Sequence, residues 1–232
     1  MIYLRSILFY MGLALSTIPY AFIALLVLVL PAKLRSRVIA GWAVFATHWL
    51  HLTCNLRHQL IHPENIMYEP CVFASNHSST WETITTQTFL PSLAWVLKRE
   101  LLKIPFFGWG LWATRPIAID RNNGASAMEQ VISQGKDKLG EGRHVLIFPE
   151  GTRRPYGEKV GKYKLGAIKL ARAANVPIVP IAHDAGKYWS TSSWWIKPGV
   201  IKCIIGPAIH IGERPDNEVM NEVKQWILDQ QL

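Results

Sequence analysis

From Ser6 to Ala32 the chain contains no charged residue, and this silence constrains it more than any other feature. Residues 7–30 read ILFYMGLALSTIPYAFIALLVLVL. As a helix those 24 residues would be about 36 Å long, enough to cross a hydrocarbon core of ~30 Å. Pro19 falls mid-segment and would kink it, which helices in a membrane tolerate. A cleavable signal peptide would carry a shorter apolar region ending in a small-residue site. This run continues instead into LVLPAKLRSR. The segment is therefore expected to anchor the chain. Spanning the bilayer and lying in one leaflet both fit the sequence.

The charge distribution sharpens that reading. The 232 residues include 25 Lys plus Arg and 16 Asp plus Glu, a net charge of +9. Residues 1–63 hold five of those bases (Arg5, Lys33, Arg35, Arg37, Arg57) and no acid, so the rest is close to balanced. Lys33, Arg35 and Arg37 follow the apolar run, as on the cytoplasmic flank of a membrane segment. Anionic headgroups would favour each such cation by about 1 kcal/mol. Residues 38–56 place Trp42, Phe45 and Trp49 at helical spacing, for an interface or for packing on the next domain. Residues 1–63 are thus expected to be membrane-anchoring helices. Nucleic acid is not an expected partner, because the basic excess flanks the apolar segment and no finger or helix-turn-helix spacing occurs. Cys54, Cys71 and Cys203 form no metal or disulfide pattern and read as buried thiols.

Residues 64–232 change character. Short apolar runs at 71–75, 94–97, 116–120, 144–148, 177–181 and 200–205 read as strands. Their continuous apolar character suits a mostly parallel sheet covered on both faces. Amphipathic stretches at 81–89, 125–139, 164–175 and 216–230 read as the helices between and after them. The expectation is one α/β domain with a mostly parallel central sheet flanked by helices.

Two segments could carry chemistry. Ser75-Asn76-His77-Ser78-Ser79-Thr80-Trp81-Glu82 follows a strand. His77 in a loop could meet Glu82 in the first turn of the next helix. A carboxylate on one imidazole nitrogen fixes the tautomer and makes the other a general base. The competing reading is structural: Ser79-x-x-Glu82 is also a capping box. The second segment, HVLIFPEGTRR over 144–154, runs a buried strand into a Gly151 turn. Thr152 could offer a hydroxyl there, and Arg153 and Arg154 sit at the C-terminal end of a strand, where an arginine suits phosphate or carboxylate.

Taken in series, these segments resemble the glycerolipid acyltransferases, in particular bacterial members acting on 1-acyl-glycerol 3-phosphate. The family carries an Asn-His-x4-acid block and then a Pro-Glu-Gly-Thr-Arg block. Ile117-Ala118-Ile119-Asp120-Arg121 resembles its second block, and Val176-Pro177-Ile178-Val179-Pro180-Ile181 its fourth. The resemblance covers roughly residues 70–185. One position departs from it: the usual acid is Asp, and this chain has Glu82. The resemblance implies direct acyl transfer without an acyl-enzyme, with His77 as base and Glu82 orienting it. It implies that Lys98, Arg121 and Arg153 hold the acceptor's phosphate, with Glu150, Gly151 and Thr152 shaping the turn beneath. It further implies a lysophospholipid acceptor, acyl-CoA or acyl carrier protein as thioester donor, and no tightly bound cofactor or metal. The expected location is the cytoplasmic membrane, with the catalytic domain on the cytoplasmic side.

Other signals are weaker. Gly108-x-Gly110-x-x-Ala113 lacks the strand that a dinucleotide fingerprint requires before it, and no G-x-S-x-G occurs for a serine hydrolase. His183-Asp184 could touch substrate or lie in a surface loop. Tyr188, Trp189, Trp194 and Trp195 could meet an interface or fill a satellite of the core.

Overall fold

The computed structural model describes residues 1–120, 124–158 and 161–230. Helix α1 (Ile2–Leu26) and helix α2 (Ala32–Cys54) form an antiparallel pair. The Trp49 indole donates to the Leu8 carbonyl at 3.2 Å and Trp42 to Ser16 Oγ at 3.1 Å, so later residues of one helix meet earlier ones of the other. Gly12 lets the helices approach: a Cβ there would sit 2.1 Å from the Trp49 ring nitrogen. Helix α2 stops at Asn55, whose left-handed backbone (φ 50°) closes the last turn onto the His51 carbonyl at 2.9 Å.

Both ends of α1 touch the rest of the protein. Near its start, Ser6 Oγ accepts from the Ile196 amide at 3.0 Å, and the fully buried Phe9 meets Trp189 edge-on at 5.2 Å. Near its end, Phe22 meets Trp109 at 6.4 Å. Much of the rest of α1 stays bare, with Leu4, Leu15 and Leu26 all exposed. Residues Ile2–Val29 are long and apolar enough to cross a membrane, and only 11% of the most apolar window is buried. A core helix of a soluble protein would be mostly covered.

The seven-stranded sheet comprises β1 (Leu56–Ile61), β2 (Val72–Ser75), β3 (Leu93–Lys98), β4 (Ile117–Ile119), β5 (His144–Ile147), β6 (Ile178–His183) and β7 (Gly199–Ile205), in the order β1-β7-β6-β2-β5-β3-β4. Strands β2 to β6 are mutually parallel; β7 runs against β6, and β1 lies parallel to β7. Side chains of successive strand residues fall on opposite faces. Phe73 and Leu146 accordingly join a core under α1 and α2. Val72, Ala74 and Val145 join another under α5 (Gly124–Gly140), α6 (Gly166–Ala174) and α7 (Asp216–Asp229). This double cover is the fold class expected from the unbroken apolar runs.

Two elements differ from the sequence reading. Strand β1 was not expected: it lies within residues 1–63, read from the sequence as anchoring helices, and its LRHQLI sequence suits an edge. The Gly108 segment forms a short helix, α4 (Phe107–Ala113). Gly108 is there for close packing: a Cβ would come 2.3 Å from the Leu102 carbonyl oxygen. The three cysteines are free and buried.

Candidate active site

The site forms where β2 and β5 end, the edge at which parallel α/β sheets present their loops. Strand β2 delivers Asn76, whose side chain clamps the end of β6. Its amide donates to the His183 carbonyl at 2.9 Å, and its Oδ1 accepts from the His183 amide at 3.0 Å. The next four residues turn the chain into helix α3 (Trp81–Thr85).

That turn brings His77 onto Glu82, with Nδ1 to Oε1 at 2.7 Å. The same Oε1 accepts the backbone amides of Ser78 at 3.0 Å and Ser79 at 2.9 Å, while Ser79 Oγ accepts the Trp81 amide at 3.1 Å. The cap and the histidine pair are therefore one arrangement rather than alternatives: a single oxygen serves both. Donation from Nδ1 to a carboxylate leaves the lone pair on Nε2, the form a general base requires.

The Glu82 side chain is fully buried and His77 is 13% exposed. Burial pushes the Glu82 carboxyl upward, but His183, His77 and the Ser79 amide together outweigh it, and the group stays ionised below its ordinary range. Burial pushes the His183 imidazole below the ordinary histidine range.

The segment after β5 brackets His77 from the other side. The His77 amide donates to Glu150 Oε1 at 2.9 Å, and the His77 carbonyl accepts the Arg154 amide at 2.8 Å. Phe148 stacks on the imidazole with ring centres 4.0 Å apart and planes 12° from parallel. Gly151 supplies the turn with φ +74°, a conformation costly for residues bearing a Cβ. Glu150 thus stands directly behind His77, and the Gly151 amide closes the turn onto the Phe148 carbonyl at 3.0 Å. Arg153 and Thr152 are exposed beyond the turn. Lys98, at the end of β3, is half exposed and pairs with Glu100 at 3.3 Å. Arg121 lies outside the described residues.

Phe148 escaped the sequence reading, and Arg154 and His183 take surroundings it did not give them. Arg154 approaches Glu150 Oε2 at 3.8 Å, and Phe148 packs on the His77 ring. His183 is buried, so it sits in neither a surface loop nor an open substrate contact. Of the aromatic cluster, Trp189 is core, and Trp194 and Trp195 are exposed.

The Glu150 carboxyl is pushed up to about 6 by burial, with its bond from the His77 amide and the nearby Arg154 opposing. Its folded pKa lies above the ordinary 4.5. The folded state therefore holds the proton more tightly, and that contribution to stability is lost as pH rises through about 6. The shift corresponds to about 2 kcal/mol. Glu150→Gln removes the titration. Its melting temperature relative to the unmodified protein should climb between pH 5 and pH 7.5 in thermal scans, and a gap constant with pH contradicts this.

Comparison with known proteins places this geometry. A family model described as Acyltransferase matches residues 57–184. The chain is 41% identical over 229 residues to the 1-acyl-sn-glycerol-3-phosphate acyltransferase of Pseudomonas aeruginosa, covering 97% of this chain and 89% of that protein. It is 37% identical over 107 residues to the protein of the same name in Helicobacter pylori, covering 46% and 45% of the two chains. The crystal structure of the 1-acyl-sn-glycerophosphate (LPA) acyltransferase PlsC from Thermotoga maritima shares the fold. The TM-score is 0.75 at 22% identity, over 99% of this chain and 97% of that one.

Proposed function

Because the chain belongs to the acyltransferase family, we propose that it moves an acyl group from a thioester to the free sn-2 hydroxyl of lysophosphatidic acid, giving phosphatidic acid. The observation that carries this reading is the His77–Glu82 pair, 2.7 Å apart at the end of β2, in a chain whose Pseudomonas relative bears that activity in its name. His77 Nε2 takes the proton of the acceptor hydroxyl as its oxygen attacks the thioester carbonyl. The tetrahedral intermediate collapses, the C–S bond breaks, and the imidazolium returns the proton to the leaving thiolate. Glu82, ionised and buried, orients the ring and stabilises the imidazolium between those steps. Such a pair is worth about 10²–10⁴ in rate.

Lys98, Arg121 and Arg153 are the residues assigned to the acceptor's phosphate, with Thr152 adding a hydroxyl at the turn. Glu150 and Gly151 fix the backbone under His77. No tightly bound cofactor is assigned: the co-substrate is acyl-CoA or the thioester of an acyl carrier protein. The acceptor comes from the membrane plane, where α1 lodges its bare apolar face. Because both ends of α1 contact the α/β fold, embedding in one leaflet of the cytoplasmic membrane is favoured over crossing it, with the catalytic face toward the cytoplasm.

The experiment is an acceptor panel. Enzyme in phospholipid–detergent micelles is given labelled acyl-CoA or acyl carrier protein with lysophosphatidic acid, lysophosphatidylcholine, monoacylglycerol or glycerol 3-phosphate. Labelled phosphatidic acid from the first acceptor is expected. Product only from monoacylglycerol, which lacks the phosphate, overturns the assignment.

A further inference from the structure

One oxygen of Glu82 is accounted for and the other is not. Oε1 carries three donors, while Oε2 is buried with no hydrogen-bond partner. A carboxylate oxygen left so in a protein interior is costly, and the side chain would gain by swinging Oε2 toward any available donor. His183 Nε2 stands 3.7 Å from it. His183 is itself buried and assigned no part in the chemistry above.

The tautomer of His183 follows from its neighbours. Its Nδ1 faces the Ala185 amide at 3.4 Å and so accepts, and its Nε2 faces the Asn76 carbonyl at 3.1 Å and so donates. The N–H edge is thus directed into the narrow space shared by the Asn76 carbonyl and Glu82 Oε2. Trp81 closes that space, its ring centre 5.5 Å from the imidazole and inclined at 61°. At 3.7 Å the approach to Oε2 is electrostatic rather than a formed hydrogen bond. The other titratable groups around the pair are His77, Glu150, Asp184 and Cys203, of which Asp184 is engaged by Lys187 and the Lys202 amide. With Glu rather than Asp at position 82, the carboxylate reaches the end of β6, where His183 waits.

We propose that His183 is a positioning residue for acyl transfer: its Nε2–H edge holds Glu82 Oε2 toward β6, so that Oε1 stays on His77 throughout the proton transfer. This rests on the reading of His77 as the base. His183 acts through Glu82 and touches no substrate. Its loss should therefore lower kcat and leave KM alone.

Gln places an N–H near the former Nε2, whereas Asn and Leu do not. His183→Asn and His183→Leu should each lose kcat by about tenfold or more with KM for both substrates within about twofold. His183→Gln should recover most of the rate. In a Glu82→Gln background, His183→Asn should add less than about threefold, because both changes act through one carboxylate. Full kcat in a donor-free variant overturns the proposal. So does a Gln variant as impaired as the Asn variant, or multiplicative losses in the double variant. If neither donor-free variant folds, His183 is an architectural residue and the proposal also falls. A His77→Ala enzyme with near-full activity removes the base reading itself. An inactive His77→Ala enzyme beside a fully active His183→Asn enzyme removes this proposal alone.

Discussion

His77→Ala should abolish acyl transfer and leave the fold standing. The expected loss in kcat is about 10³-fold or more, at the upper end of what a positioned general base contributes. The fold should survive because the backbone of residue 77, not its ring, ties the two loops together. Its amide donates to Glu150 and its carbonyl accepts from Arg154, and both bonds persist in alanine. Glu82 Oε1 loses the imidazole donor but keeps the amides of Ser78 and Ser79. The stability cost should then be about 1–3 kcal/mol, the range for one hydrogen bond to a charged group plus a small void under Phe148. Single-turnover transfer from labelled acyl-CoA, with a melting curve on the same sample, separates the two effects. A well-folded His77→Ala protein that still transfers at near the original rate would sink the mechanism.

How far the sequence reached depends on how local each interaction is. Strands β2, β5 and β6 were legible because a strand buried on both faces must be apolar at every position, which leaves a run rather than an alternation. Strand β1 was hidden by Arg57, His58 and Gln59, which an edge permits and a central strand does not. Helix α4 was hidden by its two glycines, one of which is present for contact with Leu102. The same division runs through the site. His77 and Glu82 lie five residues apart, so turn and helix geometry alone brings them together. Phe148 and Arg154 reach His77 only through the pairing of β2 with β5, and His183 reaches Asn76 only through that of β2 with β6, across 107 residues. No spacing rule encodes those meetings. The resemblance to a family supplied Glu150 without the reason for it: its carboxylate holds the backbone of His77.

Glu82→Gln separates the two services that one oxygen performs. The capping service needs only an acceptor, and a glutamine carbonyl oxygen can still receive the amides of Ser78 and Ser79. The catalytic service needs the charge, since a neutral amide stabilises the imidazolium of His77 far less than an ionised carboxylate does. The new NH2 group would also replace Oε2 beside the Nε2–H of His183, setting donor against donor in a sealed space. Flipping the amide would not relieve this, because its NH2 would then face the Ser78 and Ser79 amides, so the carbonyl oxygen stays on them. The expected result is a fall in kcat of about 10²-fold, with KM little changed. Helix α3 should be retained, because Ser79 Oγ still caps Trp81. Glu82→Asp keeps the charge but draws the carboxylate back by one methylene. It should keep more activity than Glu82→Gln, even though glutamine is the better match in size. The reverse order, Gln more active than Asp, would mean that length and not charge is what His77 needs from this position. An unchanged rate in Glu82→Gln would reduce Glu82 to a helix cap.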